Sequence, residues 1–223
     1  MSDIIILTTL EIIIIFLVII SINPIIRKLK QTKNKIYLGV ILFQIAILTY
    51  SITQLYIYYY GTIQTFGAAL DLTSILWLLI ITLEIQFFLY LKNLKKLYTL
   101  PFIISFFIAA GLVLIADMNP LIYYSILSVF FIGFLLIREG YKNRNGIPFS
   151  LGLLIILMGM GFLLNQFLIN ELIRSIFWII GMSFFFLGSW GFFDKYILID
   201  KLEEQKIKNT WIARLVIEKR FDY

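Results

Sequence analysis

The chain has 223 residues, 61% of them hydrophobic and 17% aromatic, with a mean hydropathy of +0.95; globular chains run at roughly half apolar, so a soluble domain of this size has too little polar surface to cover such a core. The formal net charge of +6 sits in short gaps beside apolar runs, where it reads as an orientation signal and a contact with anionic lipid rather than as a nucleic-acid footprint. Cys and His are both absent, which excludes disulfides, thiol chemistry, His-ligated zinc or haem and the Ser–His dyad; no metal, no cofactor and no catalytic residue is expected.

Seven runs follow in order, each near the length of about 20 residues that a helix needs to cross a bilayer core. Run one covers 4–22 and ends at Asn23-Pro24, ahead of Arg27, Lys28, Lys30, Lys33 and Lys35. No positive stretch precedes it and no small-residue cleavage site follows it, so it is expected to stay as a span rather than act as a signal peptide. Run two covers 36–58; a neutral gap leads to Asp71 and run three, 72–91, which Lys92, Lys95 and Lys96 close. Pro101 opens run four, 102–116, with the ring near the first turn where its missing N–H is harmless. Asp117-Met118-Asn119-Pro120 turns the chain into run five, 121–137, which ends at Arg138. Run six covers 149–169, a break at Asn170-Glu171 follows, and run seven covers 172–193. The runs are too long, and alternate too little, for barrel strands.

Eighteen of the nineteen basic residues fall in alternate gaps and the tail, leaving Arg174 alone on the other side. The positive-inside rule then puts the N-terminus outside and the C-terminus in the cytoplasm. The expected fold is an all-α, polytopic membrane protein: a seven-transmembrane-helix bundle over 1–194 and a cytoplasmic tail over 195–223, read as helical. The Ile-, Lys- and Asn-rich usage fits a prokaryotic cell membrane, with the lipid bilayer as first partner.

Glu84 is the sharpest position. It lies eight residues before Lys92, or about 12 Å inside that boundary at 1.5 Å per residue, in a core about 30 Å thick. A carboxylate there costs ~2.5 kcal/mol or more unless it is protonated or paired, and no Lys or Arg shares its depth. Gln44, Ser128 and Ser183 lie at similar depth, so a mid-membrane polar cluster of Glu84 with Gln44, Ser128 and Ser183 is expected. Its two readings are a proton- or cation-linked switch and plain hydrogen-bonded glue between helices. Thr82 and Gln86 share one face of run three while Thr73, Trp77 and Glu84 share another, which points to a central helix surrounded by protein.

Glu11, Gln54, Asn165 and Gln166 sit at one outer level. They either line an outer vestibule or snorkel to interfacial water, the second being the plainer expectation. Gly152 and Gly159, with Gln166 next in phase, and Gly181 and Gly188 recur at seven-residue spacing; small residues in register let backbones approach closely, so these are packing stripes. In the tail, Trp211 and Leu215 are the residues expected to meet a partner or the membrane surface.

The layout resembles that of seven-helix receptors in its outer N-terminus, short loops and helix-length tail. The last run holds no Lys, so a retinal Schiff base is unavailable. Two functions remain: a sensory, signal-transducing or scaffold bundle acting on a cytoplasmic protein through its tail, and a small-solute or proton-linked transporter using Glu84. An enzyme is the least expected, since the usual bases and metal ligands are missing.

Overall fold

The structure, a computed structural model, describes residues 2–34, 36–61, 71–115, 117–168 and 170–198; Trp211 and Leu215 lie outside them. All regular structure among these residues is helical. Helix α1 is Ser2–Thr32, α2 Ile36–Tyr60 and α3 Leu72–Leu91. A 3₁₀ turn, Lys95–Leu97, precedes α4, Leu100–Leu114. Helix α5, Asn119–Lys142, carries a π-helical segment at Ser128–Gly133. Helices α6, Gly146–Leu168, α7, Glu171–Ser189, and the short α8, Phe192–Tyr196, complete the set. Among the described residues, seven helices are long and apolar enough to cross a membrane. The chain is a multi-pass membrane protein by that measure.

The starts follow local chemistry. Asp71 caps α3 by accepting from the Ser74 N–H at 2.7 Å, and Asn170 caps α7 by accepting from the Leu172 N–H at 3.0 Å. Both side chains satisfy amides that a helix N-terminus otherwise leaves bare. Three ends depart most from the apolar runs. Helix α1 continues through Pro24 to Thr32: proline's fixed φ is already helical, and a bundle tolerates the one lost backbone bond. Helix α5 continues from the run's edge at Ile137 to Lys142, because hydropathy marks the greasy part of a helix rather than its last turn. Helix α7 stops at Ser189, short of 193, because Gly191 adopts φ +82° and its N–H returns to the Gly188 carbonyl at 3.0 Å. Glycine takes that left-handed conformation without steric cost.

Helices α1, α2, α3, α5, α6 and α7 form a ring in which each packs on the next and α7 returns to α1; α4 rests outside, against α3 and α5. The most extensive contact joins α6 to α7. Helices α3 and α6 are the most enclosed spans and α4 the least. Three of the four stripe glycines lie in very close contacts. A Cβ added at Gly159 would stand 1.6 Å from Val129 Cγ2 on α5, one at Gly152 2.6 Å from the Gly133 carbonyl, and one at Gly188 2.1 Å from Ser150 Oγ. In lipid, where no hydrophobic force drives helices together, this close packing supplies much of the attraction.

The ring interior is aromatic. Trp77 stacks on Phe162 with centroids 4.4 Å apart and lies 5.9 Å from Trp178, while Tyr50 meets Trp178 at 4.8 Å. Both indole N–H groups are engaged: Trp77 donates to Ser125 Oγ at 2.9 Å and Trp178 to the Met158 carbonyl at 3.1 Å. Stacked rings of this kind gain beyond their buried area.

Candidate functional site

Two buried acids define the polar interior. Glu11 sits on the inward stripe of α1 with Ile14, Val18, Ser21 and Ile25, all fully buried. Arg174, one turn into α7, reaches it: Nη2 donates to Glu11 Oε1 at 2.7 Å and to the Tyr58 hydroxyl at 2.8 Å. Ser175 Oγ donates to the same Glu11 oxygen at 3.2 Å. The two charged side chains are 1% and 0% exposed. The guanidinium carbon lies 5.5 Å from the Tyr50 ring centre and 5.4 Å from that of Trp178, a distance at which a cation gains from an aromatic face. Two atoms of the pair, Arg174 Nη1 and Glu11 Oε2, have no hydrogen-bond partner among the described residues.

This arrangement corrects one expectation and sharpens another. Glu11 does not snorkel to interfacial water; it is enclosed and paired. Arg174, counted as the lone basic residue of the outer side, is a buried residue of the bundle. The sequence carried a signal for Arg174, since it stands seven residues before Gly181 and fourteen before Gly188, on the same packed stripe. Tyr58 and Trp178 carried no distinguishing signal in a chain so rich in aromatics.

The second acid is Glu84 on α3. It is buried and accepts a short hydrogen bond from Ser128 Oγ, the first residue of the π segment of α5. Trp77, seven residues earlier on α3, bonds Ser125, three residues before Ser128. One face of α3 is thus joined twice to one face of α5. The opposite face is engaged too, through the hydrogen bond between Thr82 and Ser105 of α4. The other two members of the expected cluster stand apart. Ser183 donates to its own helix at the Ile179 carbonyl, 2.8 Å away. Gln44 is fully buried, and neither atom of its amide has a partner among the described residues.

A cavity of about 200 Å³ opens where α2 and α6 end and α3 and α7 begin. Gln54, Asn165 and Gln166 line it, together with Asp71, Glu171 and Arg174. Tyr50 and Phe162 belong both to its wall and to the aromatic interior. Glu11 is not part of the lining; it lies behind Arg174 as its counter-ion. Glu84 is not part of the lining either.

At the other end of the bundle, where the basic loops lie, Lys92 and Glu139 form an ion pair between α3 and α5. Asp194 of α8 accepts a short hydrogen bond from the Gly146 N–H at the start of α6. A carboxylate is favoured at a helix N-terminus by the exposed amides and the dipole, so this contact pins the chain beyond α7 onto the bundle. Compared with protein-family models, curated proteins and solved structures, the chain shows a significant match to none.

Proposed function

We propose that this chain is a sensory bundle of a prokaryotic cell membrane, with its N-terminus outside and its basic loops in the cytoplasm. A small ligand enters the cavity at the outer end, and the segment 195–223 passes the response to a cytoplasmic protein. The observation that carries this reading is the course of α7. Its first turn supplies Arg174 to the cavity. Its last turn leads through Gly191 to Asp194, which is hydrogen-bonded to Gly146. One helix therefore runs from the outer cavity to the short α8 from which the tail departs. The eighteen basic residues on the tail side support the orientation.

The test uses intact protein in sealed vesicles with an environment-sensitive dye on Leu215→Cys. A small-molecule extract of growth medium added outside is expected to change the dye signal without accumulating inside. Uptake of labelled solute with a silent tail would overturn the sensory reading.

A second reading, a proton-linked carrier, is favoured by the π segment that begins where Glu84 docks, because such segments recur at functional sites in helices. Under it, Glu84→Gln abolishes uptake and leaves the melting temperature unchanged. Under the sensory reading the same variant leaves solute distribution as it was.

A further inference from the structure

We propose that the cavity between α2, α3, α6 and α7 binds a small zwitterion of the amino-acid class, with its carboxylate on Arg174 Nη1 and its ammonium toward Asp71 and Glu171. The inference rests on the sensory reading and names the chemistry of its ligand. Arg174 lines the cavity and is almost wholly buried; Nη2 serves Glu11 and Tyr58, while Nη1 is itself enclosed and has no partner among the described residues, so a ligand meets it through a small rotation of the guanidinium toward the cavity. A guanidinium nitrogen only donates. What completes it must therefore accept, and a carboxylate does so with the strength of a charge-assisted bond.

Charge then excludes a simple anion. Glu11 already balances Arg174, and the lining adds two carboxylates, Asp71 and Glu171. An anion without a positive group would meet more repulsion than attraction, whereas an ammonium on the same molecule turns both carboxylates into partners. Asp71 is held for that role: Oδ1 accepts from the Ser74 N–H at 2.7 Å and Oδ2 from Thr73 Oγ1 at 2.8 Å. Each oxygen retains a second lone pair. Between the charged ends, Tyr50 and Phe162 offer an apolar wall and Gln54 and Asn165 neutral polar groups. The space, about 200 Å³, suits a molecule of a few heavy atoms.

The experiment titrates intact protein in lipid nanodiscs with each of the twenty common amino acids, followed by calorimetry. For any that binds, the matching amine without the carboxylate and the matching acid without the ammonium are titrated in turn. At least one amino acid is expected to bind at least about tenfold more tightly than either fragment, a difference set by the lost charged contact. Asp71→Asn keeps a capping side chain and removes the charge; it is expected to weaken the amino acid about tenfold and leave binding of the acid fragment no weaker. Arg174→Lys keeps a cation beside Glu11 but removes the forked donor, and is expected to weaken the amino acid as well. The proposal is overturned if no amino acid binds, if an amine or acid fragment binds as tightly as its parent, or if the affinity survives Asp71→Asn in protein that melts normally. Binding with a silent Leu215→Cys dye would remove the sensory reading and leave the site standing. A dye response to the medium extract with no amino-acid binding would do the reverse.

Discussion

The side chains of Glu11 and Arg174 illustrate how a charge is kept inside a bilayer. Each is tolerated because the other is there, so removing one leaves an uncompensated buried ion. Glu11→Ala and Arg174→Ala are each expected to lower stability by about 3–5 kcal/mol. Replacing both with Met is expected to cost less than either single change, and thermal unfolding in nanodiscs measures the difference. Gln44 presents the opposite case. Its amide is buried, and neither atom has a partner among the described residues, so Gln44→Met is expected to hold or raise the melting temperature, by about 1 kcal/mol of stability; a clear loss would show that the amide has a partner in the membrane. The sequence made Glu84 easy to find, because a carboxylate eight residues from the nearest basic residue stands out in the middle of an apolar run. Arg174 was harder. Asn170 and Glu171 make its neighbourhood look like a loop, and only its phase with Gly181 and Gly188 places it on the buried face.

Helices meet here through absent side chains as much as present ones. Helix α6 lies between α5 and α7, with Gly152 and Gly159 toward α5 and Gly161 toward α7. Gly159→Ala is expected to destabilise the bundle by about 1–3 kcal/mol through overpacking. Adding Val129→Ala, which removes the atom 1.6 Å from the new Cβ, is expected to restore most of the loss, and melting curves of the single and double variants check it. Seven-residue glycine spacing made the close packing at Gly152 and Gly159 legible in advance, and that at Gly161 lay outside the spacing. The π segment at Ser128–Gly133 was not, since a single wide turn has no composition of its own. Nor was the passage of α1 through Pro24, because proline marks a lost hydrogen bond and leaves the neighbours to decide whether the helix continues.

For the molecule as a whole, the number of spans was legible because bilayer thickness sets the length of each apolar run. The arrangement of the spans was not. In α1, buried Ile14, Val18 and Ile25 are chemically indistinguishable from exposed Ile12, Phe16 and Ile19; lipid and protein interior are equally apolar, so no periodicity separates them. Orientation has its own check: cysteines at Thr32 and Tyr60 are expected to react with an impermeant maleimide from opposite sides of a sealed vesicle, and same-side reaction would reverse the topology. The link between α1 and α7 also sets an order of events during synthesis. Glu11 and Arg174 are 163 residues apart, in the first and the last of these seven spans. Glu11 therefore enters the bilayer long before its counter-ion exists, and a chain halted anywhere before α7 carries an acid with no cation to meet it. Assembly of the bundle is thereby written into its charge: only a chain that extends through α7 neutralises the group that α1 brought in.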